Sequence, residues 1–276
     1  VIVALKQWSS VETSTKDAIV VTWLGGREVE TPHPAYQAWT YASLIQDYNE
    51  TVRKENIKLA PCAYLHNLDS IDAINDPLYK SHIVRAPIFI SKDAKLLSKF
   101  LKKHITYGDD TDILFRIENG KLKPSKNLAD SLSSMLSGNP EFVLIDEQKL
   151  VYETALDLCY KAGKGKKQVL IVKGGPGTGK SVVAINLLVE LTKREMVAQY
   201  VSKNAAPRAV YEARLVGSFK KSRISSLFKG SGSYTGCDPN TFGALIVDEA
   251  HRLNAKSGLY GNLGENQIKE LINAAN

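Results

Sequence analysis

Apolar and polar positions recur along this chain with two periods, and the change between them marks its organisation. Residues 1–5 are a continuous apolar run that predicts a buried strand, and 18–24 predict a second. Gly25-Gly26 turns the chain into 27–31, the shape of a hairpin. Behind Pro34, which suits a first helical turn, Tyr36, Trp39, Tyr41, Leu44, Ile45 and Tyr48 recur at helical spacing and predict a helix over 35–48. Residues 58–65 and 82–90 predict further strands. Ser91 is placed to cap a helix over 92–105, with Leu97, Phe100, Leu101 and Ile105 on one face. A short helix over 128–136 runs into the breaker cluster Ser137-Gly138-Asn139-Pro140.

That cluster places a domain boundary, giving expected domains of 1–138 and 139–276. After it the pattern changes. A helix over 146–161 leads to the basic loop Lys164-Gly165-Lys166-Lys167. A strand over 168–172, a glycine loop, a helix over 180–193, strands over 198–202 and 244–247 and a helix over 267–275 follow. Alternation of this kind implies an α/β fold, with a parallel sheet covered by helices on both faces.

Composition changes the picture little. An apolar fraction of 43% is enough for sizeable cores, and a net charge of +7 fits a nucleic-acid partner. Cys62, Cys159 and Cys237 are widely spaced, with no metal-binding spacing, which suggests reduced thiols in a cytoplasmic setting. No apolar run approaches the roughly 18 residues of a membrane helix, so no membrane partner is expected. The N-terminus is no signal peptide and lacks an initiator Met, so the chain is expected to begin inside a domain.

The strongest chemical signal is Gly174-Gly175-Pro176-Gly177-Thr178-Gly179-Lys180-Ser181, which matches G-x-x-x-x-G-K-[ST], the Walker A pattern, at every fixed position. Glycines let main-chain N–H groups wrap phosphate oxygens, and the following helix turns its positive end to the anion. Lys180 would bridge the β- and γ-phosphates of ATP, and the Ser181 hydroxyl would bind Mg²⁺. Residues 244–247 then carry Asp248-Glu249 at their end. Asp248 would reach the Mg²⁺ shell, and Glu249 would orient and deprotonate the attacking water. The plain alternative is that the two acids merely start a helix.

Asp248-Glu249-Ala250-His251, downstream of that loop, resembles the DEAH element of a helicase motor rather than a kinase or GTPase. Leu144-Ile145-Asp146-Glu147-Gln148 resembles the glutamine motif of superfamily 1 helicases, which implies that Gln148 reads the adenine edge. Residues 202–208, Ser-Lys-Asn-Ala-Ala-Pro-Arg, resemble the segment that touches single-stranded nucleic acid, which implies backbone contacts from Lys203 and Asn204; as residues they also fit a polar loop. The combination resembles the Schlafen group 3-type DNA/RNA helicase domain of bacterial proteins that join a nuclease-like region to a P-loop motor. The resemblance covers 142–276, and Leu5-Lys6-Gln7-Trp8, Ala63-Tyr64-Leu65-His66-Asn67 and Pro124-Ser125-Lys126 extend it towards the N-terminus. It implies a RecA-like first motor lobe over 139–276, ATP and Mg²⁺ as cofactors, and DNA or RNA, single-stranded, as partner.

It also implies a smaller, incomplete restriction-endonuclease-like domain ahead of the motor. Such nucleases hold metal with an acid on one strand and a D/E-x-K pattern on the next. Lys6 fits, but Ala4 stands where the acid belongs. Gln37 and Tyr41 fit the Q-x-x-x-Y helix of RecB-like nucleases. A degenerate domain that does not cut is therefore expected, with an unrelated α/β domain as the alternative. A full superfamily 1 motor needs a second lobe, so nucleotide binding, weak hydrolysis at best and no unwinding by this chain alone are expected. A nucleotide-dependent binding module without turnover and a signalling ATPase of the AAA+ kind share the same phosphate motifs.

Overall fold

The structure is a computed structural model that describes residues 1–122, 128–139, 141–162, 166–256 and 264–276. Pro124-Ser125-Lys126, Pro140 and Lys164-Gly165, singled out above, lie outside the described residues. The chain divides into two compact units, Val1–Ser125 with Val143–Leu150, and Lys126–Phe142 with Val151–Asn276. The division is thus not one cut in the sequence, because 143–150 belongs with the N-terminal unit.

The first unit runs β1 (Ile2–Lys6), β2 (Val11–Thr13), β3 (Ile19–Leu24), β4 (Arg27–Pro32), α1 (Pro34–Tyr48), α2 (Glu50–Lys54), β5 (Pro61–Leu65), α3 (Lys80–Arg85), β6 (Ile88–Ile90), α4 (Ala94–His104) and α5 (Ile113–Glu118). Strands β1, β5 and β6 form a parallel sheet in that order, and β2, β3 and β4 an antiparallel one. The hairpin between β3 and β4 turns at Gly25 and Gly26, whose φ angles of 60° and 80° are those a tight two-residue turn demands. Trp8, Ala38, Ala63, Leu65, Ile74 and Tyr79 form much of the core against which α1 packs.

Two elements differ from expectation. The strand expected over 82–90 is α3 followed by the short β6. Pro77 opens a 3-10 turn (Pro77–Tyr79) that runs into the helix, and Pro87 disfavours helical geometry at Ala86 and ends it. The helix expected from 92 begins at Ala94, after a 3-10 turn (Ser91–Asp93). Ser91 does not cap it; its Oγ donates to Asp69 Oδ1 at 2.9 Å. The apolar face is not buried either, and Ile105 is 55% exposed.

The second unit contains α6 (Leu128–Leu136), the greater part of α7 (Asp146–Ala162), α8 (Lys180–Lys193), β7 (Ala198–Ser202), α9 (Ala205–Leu215), α10 (Lys221–Leu227), β8 (Phe228–Lys229), β9 (Ala244–Asp248) and α11 (Gln267–Ala274). Its sheet is parallel, in the order β8-β7-β9. Alternation along the strands sends Ala198, Tyr200, Ala244 and Ile246 to one face, against Leu132, Ile185, Leu188 and Leu215 of the helices there. Val201, Leu245 and Val247 go to the other, against Leu271 and Ala274 of α11. The fold is therefore α/β with parallel sheets, and here helices cover both faces.

Residues 168–172, expected as the strand before the phosphate loop, pair with no strand among the described residues. Val169, Leu170, Ile171 and Val172 are 58%, 40%, 76% and 43% exposed. An apolar run predicts burial in a sheet but cannot name its hydrogen-bond partner, and among the described residues β7 is the one strand that β9 pairs with. Just ahead of that run, Lys167 Nζ donates to Asn240 Oδ1 (2.6 Å), Asn273 O (3.0 Å) and Ala275 O, placing a cation at the negative end of α11.

Titratable groups are buried in the first unit. His33 is fully buried, and its Nε2 donates to Ile74 O at 2.9 Å while Nδ1 has no partner. Burial pushes its pKa down to about 4, so the ring is neutral in the folded chain. Asp17 accepts from His82 Nε2 (2.8 Å) and Lys149 Nζ (2.9 Å). Burial alone would raise the Asp17 pKa, but the hydrogen bond from His82 and the Lys149 ammonium outweigh it and hold the carboxyl well below the usual range. At His33 the unfolded chain takes up a proton below about 6.5 that the folded chain refuses until about 4, so stability falls as pH drops through that window. The loss amounts to about 3 kcal/mol at pH 4. Thermal melts across this range should show the N-terminal unit weakening, and His33→Asn should flatten the slope; an unchanged slope would contradict a neutral buried imidazole.

Candidate functional site

The second unit brings the phosphate-loop residues and the acidic strand end together. Gly177 and Gly179 have φ of 74° and 83°, backbone that side chains other than glycine adopt at a cost, and Gly179 stands at the N-cap of α8. A Cβ on Gly174 would lie 2.8 Å from Thr178 Oγ1, so a side chain there would have to displace the Thr178 hydroxyl. Thr178 Oγ1 donates to Gly175 O at 2.9 Å. Lys180 Nζ donates to Gly174 O (2.8 Å) and Gly175 O (2.7 Å), which holds the ammonium against the exposed loop. Pro176 needs no acceptor here, since it has no N–H to leave unsatisfied.

Ser181 Oγ donates to Asp248 Oδ2 at 2.9 Å. That contact joins the first turn of α8 to the last residue of β9. Asp248 Oδ1 accepts from Glu249 N at 2.9 Å, and Tyr200 OH on β7 donates to Oδ2 at 2.5 Å. Burial, with the Asp248 carboxylate beside it, pushes the Tyr200 phenol far above its ordinary value, so it stays protonated and keeps its proton to donate. A hydroxyl and a carboxylate this close are hard oxygen donors of the kind Mg²⁺ accepts, since that ion takes few protein ligands and keeps waters. The residues present fit the ion.

Glu249 has φ of 54°, an uncommon left-handed conformation for a residue with a side chain. Its Oε2 lies 3.4 Å from His251 Nε2 and 4.0 Å from Arg252 Nε. Lys203 and Asn204 lie between β7 and α9. Lys203 Nζ donates to Asn254 Oδ1 at 2.7 Å, and Asn204 is the N-cap residue of α9, though its side chain makes no capping bond. Gln148 belongs to the first unit, where its Oε1 accepts from Ile145 N at 3.3 Å.

In the first unit, Gln37 and Tyr41 converge on the carboxylate of Asp146, which the sequence offers as a helix start and as part of the 144–148 segment but not as their partner. Gln37 Nε2 donates to Asp146 Oδ1 (2.7 Å) and to Tyr41 OH (3.1 Å), and Tyr41 OH donates to Asp146 Oδ2 (2.9 Å). Asp146 has φ of 41°. Burial, and then the Asp146 carboxylate, raise the Tyr41 pKa. Burial lowers the Lys6 pKa, and the charge of Asp146 opposes that. Lys6, Gln37 and Tyr41 thus gather around Asp146, with Ala4 packed into the core. A period-3.6 pattern showed Tyr41 and Gln37 on one helix turn, but no local signal tied Asp146 to them. Tyr200 was likewise read only as part of an apolar strand.

Tyr41→Phe and Asp146→Ala should each destabilise the first unit, and a double-mutant cycle on the two should give a coupling of roughly 1–2 kcal/mol by thermal or urea denaturation. Additive effects would show that the contact is not formed in solution.

Comparison with known proteins bears on the C-terminal part. The family model described as Schlafen group 3, DNA/RNA helicase domain matches residues 167–276. No curated protein matches the chain, and no solved structure does. The matched stretch holds the phosphate loop, Lys203 and Asn204, and Asp248-Glu249. Over 167–276 this chain is similar to a Schlafen-type helicase domain, a nucleic-acid-related module.

Proposed function

We propose that the second unit is a RecA-like ATPase lobe of a helicase-type motor that binds Mg-ATP at the 174–181 loop and acts on single-stranded DNA or RNA. The observation that carries the reading is the Ser181–Asp248 hydrogen bond, which brings the two halves of a nucleotide–metal site to one point. Main-chain N–H groups of the loop and the start of α8 would hold the phosphates, and Lys180 would exchange its two loop carbonyls for phosphate oxygens. Ser181 and Asp248 would hold Mg²⁺, which would supply charge neutralisation for the phosphates. Glu249 accepts a proton from the water that attacks the γ-phosphorus, the γ-phosphoryl bond to ADP breaks, and Lys180 stabilises the charge that develops. Lys203 and Asn204 would contact the nucleic-acid backbone.

The first unit is proposed to be a degenerate restriction-endonuclease-like domain. Support comes from Lys6 on β1 and from Gln37 and Tyr41 gathered around a carboxylate, while the methyl group of Ala4 cannot ligate a metal. Robust cleavage of nucleic acid with Mg²⁺ or Mn²⁺ would overturn that reading. Among the described residues no helix is long and apolar enough to cross a membrane, and a cytoplasmic setting is proposed with the three free thiols in view.

A second reading, a nucleotide-dependent binding module without useful turnover, is favoured by the donors beside Glu249, since His251 Nε2 and the Arg252 guanidinium compete for the carboxylate that would serve as base. Calorimetry with Mg-ATP should show binding that Lys180→Ala weakens at least about tenfold, the equivalent of roughly 1.4 kcal/mol. Glu249→Gln should keep binding and lose hydrolysis. Stimulation of hydrolysis by a single-stranded oligonucleotide supports the motor; binding without any such turnover supports the module; no heat with Mg-ATP sinks both.

A further inference from the structure

Asp248 accepts from three donors: its neighbour Glu249 N holds Oδ1, and Oδ2 is gripped from two sides, only one of which belongs to the phosphate motifs. Ser181 Oγ reaches Oδ2 from the start of α8, and Tyr200 OH reaches the same oxygen from β7. In the parallel register Ser202 stands opposite Asp248 and Tyr200 opposite Ile246, so Tyr200 approaches diagonally from one pleat upstream on the same face. A short residue there could not span that diagonal, whereas a phenol can. The Tyr200 ring is 1% exposed and packs edge-on to Tyr211 and tilted against Phe228, both at 5.7 Å between centroids. Its hydroxyl is therefore held in place by an aromatic cluster rather than by solvent.

We propose that Tyr200 is a positioning residue for the metal, fixing the Asp248 carboxylate through Oδ2 so that it meets Mg²⁺ without rearranging. The inference rests on the Mg-ATP reading above. A hydroxyl has one proton and two lone pairs, so Ser181 can keep donating to Asp248 while its oxygen faces the ion. Ser181 then serves both partners, while Glu249 N holds Oδ1 and Tyr200 secures Oδ2 without being called on by the metal. Removing the phenol leaves Oδ2 to Ser181 alone, whose oxygen also faces the ion, so metal-dependent binding suffers while the phosphate loop keeps its own contacts with the triphosphate.

Tyr200→Phe tests this, since it keeps the ring and its packing and deletes only the donor. ATP affinity is measured on the full chain across a Mg²⁺ series and in EDTA, with melting curves to check folding. The expected result is a loss of about tenfold in affinity at saturating Mg²⁺ with EDTA affinity within about twofold of wild type. Phe228→Leu, which loosens the same aromatic cluster without reaching Asp248, should lower the melting temperature and leave the Mg²⁺ dependence unchanged. Equal losses with and without Mg²⁺, an unchanged Mg²⁺ dependence in Y200F, or a Phe228→Leu effect as large as that of Y200F would each overturn the role. Wild-type protein that binds no ATP, or binds it with no help from Mg²⁺, would remove the underlying reading and this inference with it.

Discussion

The 2.9 Å hydrogen bond between Ser181 and Asp248 is the contact on which the candidate site depends. It requires the end of a strand and the start of a helix, 67 residues apart in sequence, to meet at one place. A hydrogen bond to a charged group contributes about 1.5–3 kcal/mol net, too little to bring the two elements together unaided. Their placement comes from burial: α8 sends Ile185, Leu188 and Leu191 into the core that also receives Ala244 and Ile246 of β9. Full burial of one such side chain contributes about 1.5–3 kcal/mol, so the packed helix outweighs the polar contact several times over. The hydrogen bond then sets orientation within a frame that apolar packing has fixed.

The first unit uses polar contacts differently. The stretch 143–150 is held to it at three points: Tyr36 OH donates to Leu144 O, Gln37 and Tyr41 hold Asp146, and Lys149 reaches Asp17. Two of these involve a carboxylate, and each carboxylate has more than one donor. Buried or half-buried charge is tolerated only where its lone pairs are met, and multiple donors on one acid achieve that. The left-handed backbone at Asp146 (φ 41°) is held against its local preference by the same donors.

Much of the second unit was legible in the sequence. Helix α8 and strand β7 fall where the sequence pattern put them, and at α8 an apolar run with glycine on the entering side leaves few alternatives. The phosphate loop and the acidic strand end were found by spacing alone, and the structure brings Ser181 to Asp248. What was not legible is of two kinds. Proline overrode pattern around Pro77 and Pro87, turning an expected strand into helix and strand. Long-range partners, Asp146 for Tyr41 and Tyr200 for Asp248, leave no trace in local spacing, since they depend on chain segments 105 and 48 residues apart.

The uncovered run Val169–Leu170–Ile171–Val172 bears on the colloidal behaviour of the chain. It is apolar and exposed, and in the same unit β9 is the outer strand of its sheet among the described residues. Adhesive backbone and adhesive side chains on one body invite copies to stack edge to edge. The surplus of seven positive charges is then more than a hint of an acidic ligand; it is the long-range repulsion that keeps molecules dispersed. Since added electrolyte shortens the reach of that repulsion and leaves the apolar attraction intact, concentrated stocks gain shelf life from low ionic strength.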